Sequence, residues 1–159
     1  MYGETALHRA AFAGKVKEAE NLIAEGADLN IGNNFNETAL HYAAKKGHGG
    51  VADVLLKNGA NANIGNNLNT TALHLAADYG HKNVAEVLLN KGASVDIMNH
   101  FDNTPLHLAA KNGHGGVADV LLKNGANADI GDDSNSTALH LAAFSGNVEC
   151  LFLLKKRLI

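Results

Sequence analysis

Apolar residues in this chain follow two short patterns that alternate from end to end. In the first, a leucine is followed three and four residues later by an alanine pair, as in Leu40, Ala43 and Ala44 or Leu73, Ala76 and Ala77. The second is richer, and 84–89 (Val-Ala-Glu-Val-Leu-Leu) shows it best: apolar positions at i, i+1, i+3, i+4 and i+5 make one broad helical face. Glycine punctuates both. Gly14, Gly47, Gly80, Gly113 and Gly146 follow the alanine pairs, and Gly26, Gly59, Gly92 and Gly125 close the second runs. The pattern predicts a short helix, a second helix and an extended turn, repeated.

The interval of the repeat is fixed. Thr-x-Leu-His opens at Thr5, Thr38, Thr71, Thr104 and Thr137, each 33 residues after the last, and the 159 residues divide without remainder into Met1, four units of 33 and one of 26. Such spacing means one structural unit stacked on itself, so that the chain works through an elongated surface with no enclosed interior. Helices of about 8 to 10 residues are marginal alone in water. They are expected to persist because Leu40, Ala43, Ala44, Val51, Leu55 and Leu56 of one unit pack on their counterparts in the next. The small alanine pair lets first helices approach closely while larger residues hold second helices apart, which curves the stack and gives it a concave face.

The segments 104–110 (Thr-Pro-Leu-His-Leu-Ala-Ala), 112–114 (Asn-Gly-His) and 120–126 (Val-Leu-Leu-Lys-Asn-Gly-Ala) closely resemble the ankyrin repeat. The resemblance covers essentially the whole chain, as repeats 2–34, 35–67, 68–100, 101–133 and 134–159 of a single domain. It implies an all-α fold, an ankyrin-repeat solenoid of paired antiparallel helices joined by β-turn or hairpin-like connections. Two departures stand out. Proline survives only at Pro105, with Ala6, Ala39, Ala72 and Ala138 elsewhere. The turn glycine survives only at Gly3, with Asn36, Asn69, Asp102 and Asn135 in its place. Neither threatens the fold, since alanine suits a first helical turn and Asn or Asp tolerates a left-handed backbone.

Composition narrows the class. Hydrophobic residues reach 46% but aromatics only 5%, as thin layers of Ala, Leu and Val require. No apolar run approaches the ~20 residues of a membrane span, no secretory signal precedes the first unit, and a net charge of −3 argues against a nucleic-acid surface. Cys150, the one cysteine, occupies the slot of Val51, Val84 and Val117, which predicts a buried, inert thiol and no disulfide. The expected location is cytoplasmic or otherwise intracellular, and secretion into a host cell is compatible with it. The expected state is a monomer, with weak self-association through Phe152, which stands where Glu20, Asp53, Glu86 and Asp119 face solvent. Leu158 and Ile159 close the chain without a glycine.

Five His in the tetrapeptide (His8, His41, His74, His107, His140) and His48, His81 and His114 after the first glycine suggest metal or acid-base chemistry at first sight. A zinc site needs three or four ligands converging on one point, and equivalent imidazoles here are spread one per layer, about 10 Å apart. The structural role expected instead is that each Thr caps a first helix and bonds the His ring three residues on, while the other ring nitrogen ties the neighbouring turn. No catalytic residue, cofactor or metal is expected.

Function must then sit where the units differ. The resemblance implies that turn tips and inner helices form a partner-binding surface. Its candidates are Tyr2, Phe35, Leu68 and Phe101 at the tips; Glu4, Glu37, Thr70 and Asn103 before each Thr; Arg9 and Tyr42 after the His; and Phe12, Lys45, Lys46, Asp78, Tyr79, Lys111, Asn112 and Phe144 after the alanine pairs. Lys45, Lys46 and Lys111 around Tyr42 and Tyr79 would suit an acidic and apolar peptide. The expected function is a protein-interaction module binding a protein or peptide on its concave surface, without catalysis and without a nucleic-acid or membrane partner. The alternatives are an engineered scaffold with no natural partner and a metal-binding or enzymatic protein.

Two further features bear on stability. Residues 47–62 are identical to 113–128, as a duplicated two-unit block would be. Within each copy a glycine pair, Gly49-Gly50 or Gly115-Gly116, stands where the second helix should begin, and glycine there costs about 0.5 to 1 kcal/mol relative to alanine. These second helices are expected to start late or fray.

Overall fold

The computed structural model describes residues 3–156 as ten α-helices in five antiparallel pairs. Tyr2, Arg157, Leu158 and Ile159 lie outside the described residues. The first helices are α1 (Ala6–Phe12), α3 (Ala39–Lys46), α5 (Ala72–Tyr79), α7 (Pro105–Asn112) and α9 (Ala138–Phe144). The second helices are α2 (Val16–Ala24), α4 (Gly49–Lys57), α6 (Lys82–Asn90), α8 (Gly115–Lys123) and α10 (Val148–Lys155). Each first helix packs on the next first helix and each second helix on the next second helix, so the main contacts run within a layer and between neighbouring layers.

Each first helix starts for the same local reason. A threonine in extended backbone, such as Thr71 with φ −90° and ψ 171°, sits at the N-cap, and the histidine three residues on returns its ring to the cap. The Thr71 N–H donates to His74 Nδ1 at 3.2 Å, and the Thr71 hydroxyl lies 2.9 Å from the same nitrogen. The helix stops where Gly47, Gly80 or Gly113 takes up the left-handed conformation, with φ of 75° to 76°. Asn36, Asn69, Asp102 and Asn135 likewise adopt φ between 52° and 60° at the turn tips. The substitution of these residues for glycine is therefore accommodated as the sequence implied.

The layers are joined by a ladder of imidazoles. His8, His41, His74 and His107 are buried and place Nε2 2.9 to 3.1 Å from the carbonyls of Glu37, Thr70, Asn103 and Ser136 in the following layer. A carbonyl only accepts, so Nε2 carries the proton and Nδ1 is left to accept from the Thr N–H. A second ladder runs backwards: His48, His81 and His114 donate through Nε2 to Phe12, Lys45 and Asp78 carbonyls of the preceding layer, at 3.0 to 3.1 Å. Asn147 replaces the ring in the last layer, where its amide donates to the Ala110 and Lys111 carbonyls. His140 keeps its Thr137 contact but is exposed.

Between the ladders lies a continuous apolar core. Leu7, Leu40, Leu73 and Leu106 from the first helices meet Leu55, Leu88 and Leu121 from the second, all buried. Each such leucine contributes about 1.5 to 3 kcal/mol on leaving water. The alanine pairs of the first four layers are fully buried, while Ala143 in the last is exposed. Cys150 is buried against the Ala109 carbonyl at 3.8 Å, and burial raises its pKa, which keeps the thiol protonated and inert.

The expectation about the glycine pairs is corrected. Helices α4 and α8 begin at Gly49 and Gly115, level with α6 at Lys82, and all three contain nine residues. The reason is steric. A Cβ on Gly49 would lie 2.7 Å from Asn83 Nδ2, and one on Gly115 would overlap the Glu149 carboxyl, so these glycines make room for a side chain of the next layer. The second glycine of each pair looks back instead: a Cβ on Gly50 would meet Val16 Cγ2 at 3.1 Å, while one on Gly116 would meet only Lys82 Cδ at 3.5 Å.

That asymmetry distinguishes two identical helices. Gly116→Ala should raise the unfolding free energy by about 0.5 to 1 kcal/mol, and Gly50→Ala by less, because the branched Val16 must give way. Equal gains in urea titrations would refute the steric account. The histidine ladder sets the response to acid. Burial lowers the pKa of His41, His74 and His107, that of His74 to about 4. An unfolded His binds its proton near pH 6.5, so stability is full above that value and falls as the pH drops from 6.5 toward 4. His74→Gln should cost about 2 kcal/mol at pH 7.5 and flatten this loss. An unchanged pH profile in the variant would contradict the assignment.

Candidate binding surface

The turn preceding each layer is built by one side chain. Asn33 Oδ1 accepts the N–H groups of Phe35 and Glu37 at 2.9 and 3.0 Å. Asn66 does the same for Leu68 and Thr70, Asn99 for Phe101 and Asn103, and Asp132 for Ser134 and Ser136. Backbone bonds link successive tips, from Asn67 N–H to the Phe35 carbonyl, His100 N–H to Leu68 and Asp133 N–H to Phe101. The one isolated β-bridge among the described residues, Gly131 to Thr137, belongs to the same feature. These brackets carry Phe35, Leu68 and Phe101 in a row, each about half exposed (51%, 49% and 49%).

Opposite the tips runs a second row, the residue after each histidine of the repeated Thr-x-Leu-His. Its members are Arg9, Tyr42, Leu75, Leu108 and Leu141, and their size decides where the space lies. Tyr42 fills the trough in the first two layers. Its hydroxyl donates to Glu4 Oε1 at 2.6 Å and accepts from Asn33 Nδ2 at 3.1 Å, and its ring meets His8 and Phe12 edge-on. Burial and the Glu4 carboxylate push its pKa up to about 12. What remains there is a recess of about 310 Å³ walled by Glu4, His8, Arg9, Phe12 and Tyr42. In the last three layers leucines replace the tyrosine. A cavity of about 580 Å³ opens, with Leu75, Leu108 and Leu141 as its floor and Leu68 and Phe101 on its tip side.

The structure therefore divides the candidates into two groups. Leu68, Thr70, Asp78, Phe101, Asn103 and Lys111 line the larger cavity; Glu4, Arg9, Phe12 and Tyr42 line the smaller. Lys46 lies over the Phe12 ring at 4.4 Å and Lys45 near the Tyr79 ring at 6.0 Å, cation–π contacts that settle both ammonium groups on aromatic faces. Glu37 holds Asn33, and Asn112 donates to Asp78 at 2.8 Å. Phe144 is 94% exposed at the open end of the stack, where Val148 and Phe152 are also exposed, so it joins neither cavity. Tyr2 lies outside the described residues.

Asp132 and Asp133 line the cavity without standing among the sequence candidates, and Leu75, Leu108 and Leu141, variable positions of the expected surface, turn out to be its floor. The signal was present in the variable position after each histidine, but its meaning depends on Tyr42 being large enough to close the trough. Among the described residues no three His, Cys, Asp or Glu side chains gather to hold a metal ion, and no helix is long and apolar enough to cross a membrane.

This geometry has a counterpart among known families. The family model described as ankyrin repeats (3 copies) matches residues 7–99 and 91–158. The chain belongs to the ankyrin-repeat family. A comparison with curated proteins returned no match. Ankyrin repeats are non-catalytic interaction modules in general, and the layered all-α solenoid seen here is their architecture. In ankyrin terms, the two cavities lie where the turn tips meet the inner helices.

Proposed function

We propose that this chain is a single ankyrin domain of five repeats that binds a protein or peptide segment along the trough between turn tips and first helices, without catalysis of its own. The observation that carries the reading is the exposed apolar row Phe35, Leu68 and Phe101, of which Leu68 and Phe101 face a leucine floor across a cavity of about 580 Å³. A chain that leaves half of each large apolar tip in water, in a line and beside a concave site, presents a surface suited to a partner. The opposite side differs. Second-helix faces carry ion pairs such as Lys82 with Glu86 and Lys123 with Asp119, which are exposed and satisfied by neighbours on their own helix.

Affinity capture followed by variant binding measurements tests the reading. For a captured protein, Phe101→Asp and Leu108→Lys should each weaken binding tenfold or more, the scale of a central contact residue. Glu86→Lys and Asp119→Lys should leave it unchanged. A captured protein that loses affinity with the second-helix variants and keeps it with the trough variants would overturn the proposal.

A further inference from the structure

We infer that the C-terminal half of the trough receives a segment in which an apolar side chain stands beside arginine or lysine. The inference rests on the trough reading above and gives the partner's chemistry. Three carboxylates, Asp78, Asp132 and Asp133, line the larger cavity against a single cation, Lys111. Asp133 is exposed, and Asp78 and Asp132 are partly so, which leaves them open to a partner.

The repeats supply their own control for the charge. Asn33, Asn66 and Asn99 make the same two turn bonds that Asp132 makes, through one oxygen. The bracket therefore needs an acceptor and not a charge. Asp133 likewise stands where the first two turns have Asn34 and Asn67. A carboxylate has about four acceptor sites. The structure uses few of them: Asp78 Oδ1 takes Asn112 Nδ2, Asp133 Oδ1 takes the Ser134 hydroxyl, and Asp132 Oδ1 takes two N–H groups. The remaining oxygens suit the planar fork of a guanidinium or an ammonium group.

The N-terminal half has more cations nearby, Arg9, Lys45 and Lys46, but a smaller recess of about 310 Å³. Tyr42 fills its floor, Glu4 takes the Tyr42 hydroxyl, and Lys45 and Lys46 sit on aromatic rings. A basic, apolar segment thus has room and unspent acceptors over Leu75, Leu108 and Leu141. An acidic segment would have to displace cations from rings beside a trough that Tyr42 narrows.

Selection of phage-displayed random dodecapeptides on the immobilised chain, followed by fluorescence polarisation of the enriched peptides, tests the inference. Enriched peptides should pair Leu, Ile, Phe or Met with a nearby Arg or Lys. The double variant Asp132→Asn, Asp133→Asn should weaken them roughly 3- to 10-fold at low salt, and by less as ionic strength rises. Its thermal unfolding should match the parent, because asparagine stands at the first of these positions in the other three turns and at the second in two of them. Lys45→Gln with Lys46→Gln should leave these peptides unaffected. Enrichment of acidic peptides that depend on Lys45 and Lys46 would overturn the inference while leaving the trough as the binding site, and failure to enrich any sequence would overturn it too. Peptides indifferent to Phe101→Asp, Leu108→Lys and the aspartate variants would remove both readings.

Discussion

A buried imidazole that spans two layers is the interaction on which this structure depends. Each of His8, His41, His74 and His107 closes its own helix through Nδ1 and holds the next turn through Nε2. One side chain thus fixes both the start of a helix and the distance to its neighbour. Short helices of seven to nine residues acquire permanence from this arrangement, because unfolding one layer strands a buried carbonyl and a buried N–H in the layers beside it. The reversed ladder of His48, His81, His114 and Asn147 repeats the constraint at the other end of the first helices.

Function follows from what this scaffold leaves unspecified. Since histidine, threonine and the alanine pair set the spacing, the residue after each histidine is free to be Arg9, Tyr42 or leucine without altering the stack. Tyr42 narrows the trough, and Leu75, Leu108 and Leu141 open it. The same freedom holds at the turns, where Asn99 and Asp132 do identical backbone work but carry different charge. Recognition in such a fold is written by volume and charge at positions that the repeat does not use.

Much of the architecture was legible in the sequence. The period of 33, the Thr and His pairing, the left-handed Asn and Asp tips and the buried Cys150 all rest on local chemistry or on direct comparison between units. Propensity misled at the glycine pairs, because Gly49 and Gly115 are set by the side chains of Asn83 and Glu149, 34 residues further on, and no local rule reads across that distance. The cavity was hidden for a related reason. Candidate residues could be assigned to turn tips and inner helices, but whether they enclose space depends on which of Tyr42 and the leucines lies across the trough, and Asp132 and Asp133 read as ordinary turn residues until their position on the cavity wall is known.

The claim that the layers are tied by neutral, Nε2-protonated imidazoles is open to direct observation. Long-range ¹H–¹⁵N NMR at pH 7 should show His8, His41, His74 and His107 with an unprotonated Nδ1 and a slowly exchanging Nε2 proton, set apart from the exposed His140. An Nδ1-protonated tautomer, or Nε2 protons in the buried rings that exchange as fast as those of His140, would contradict the account.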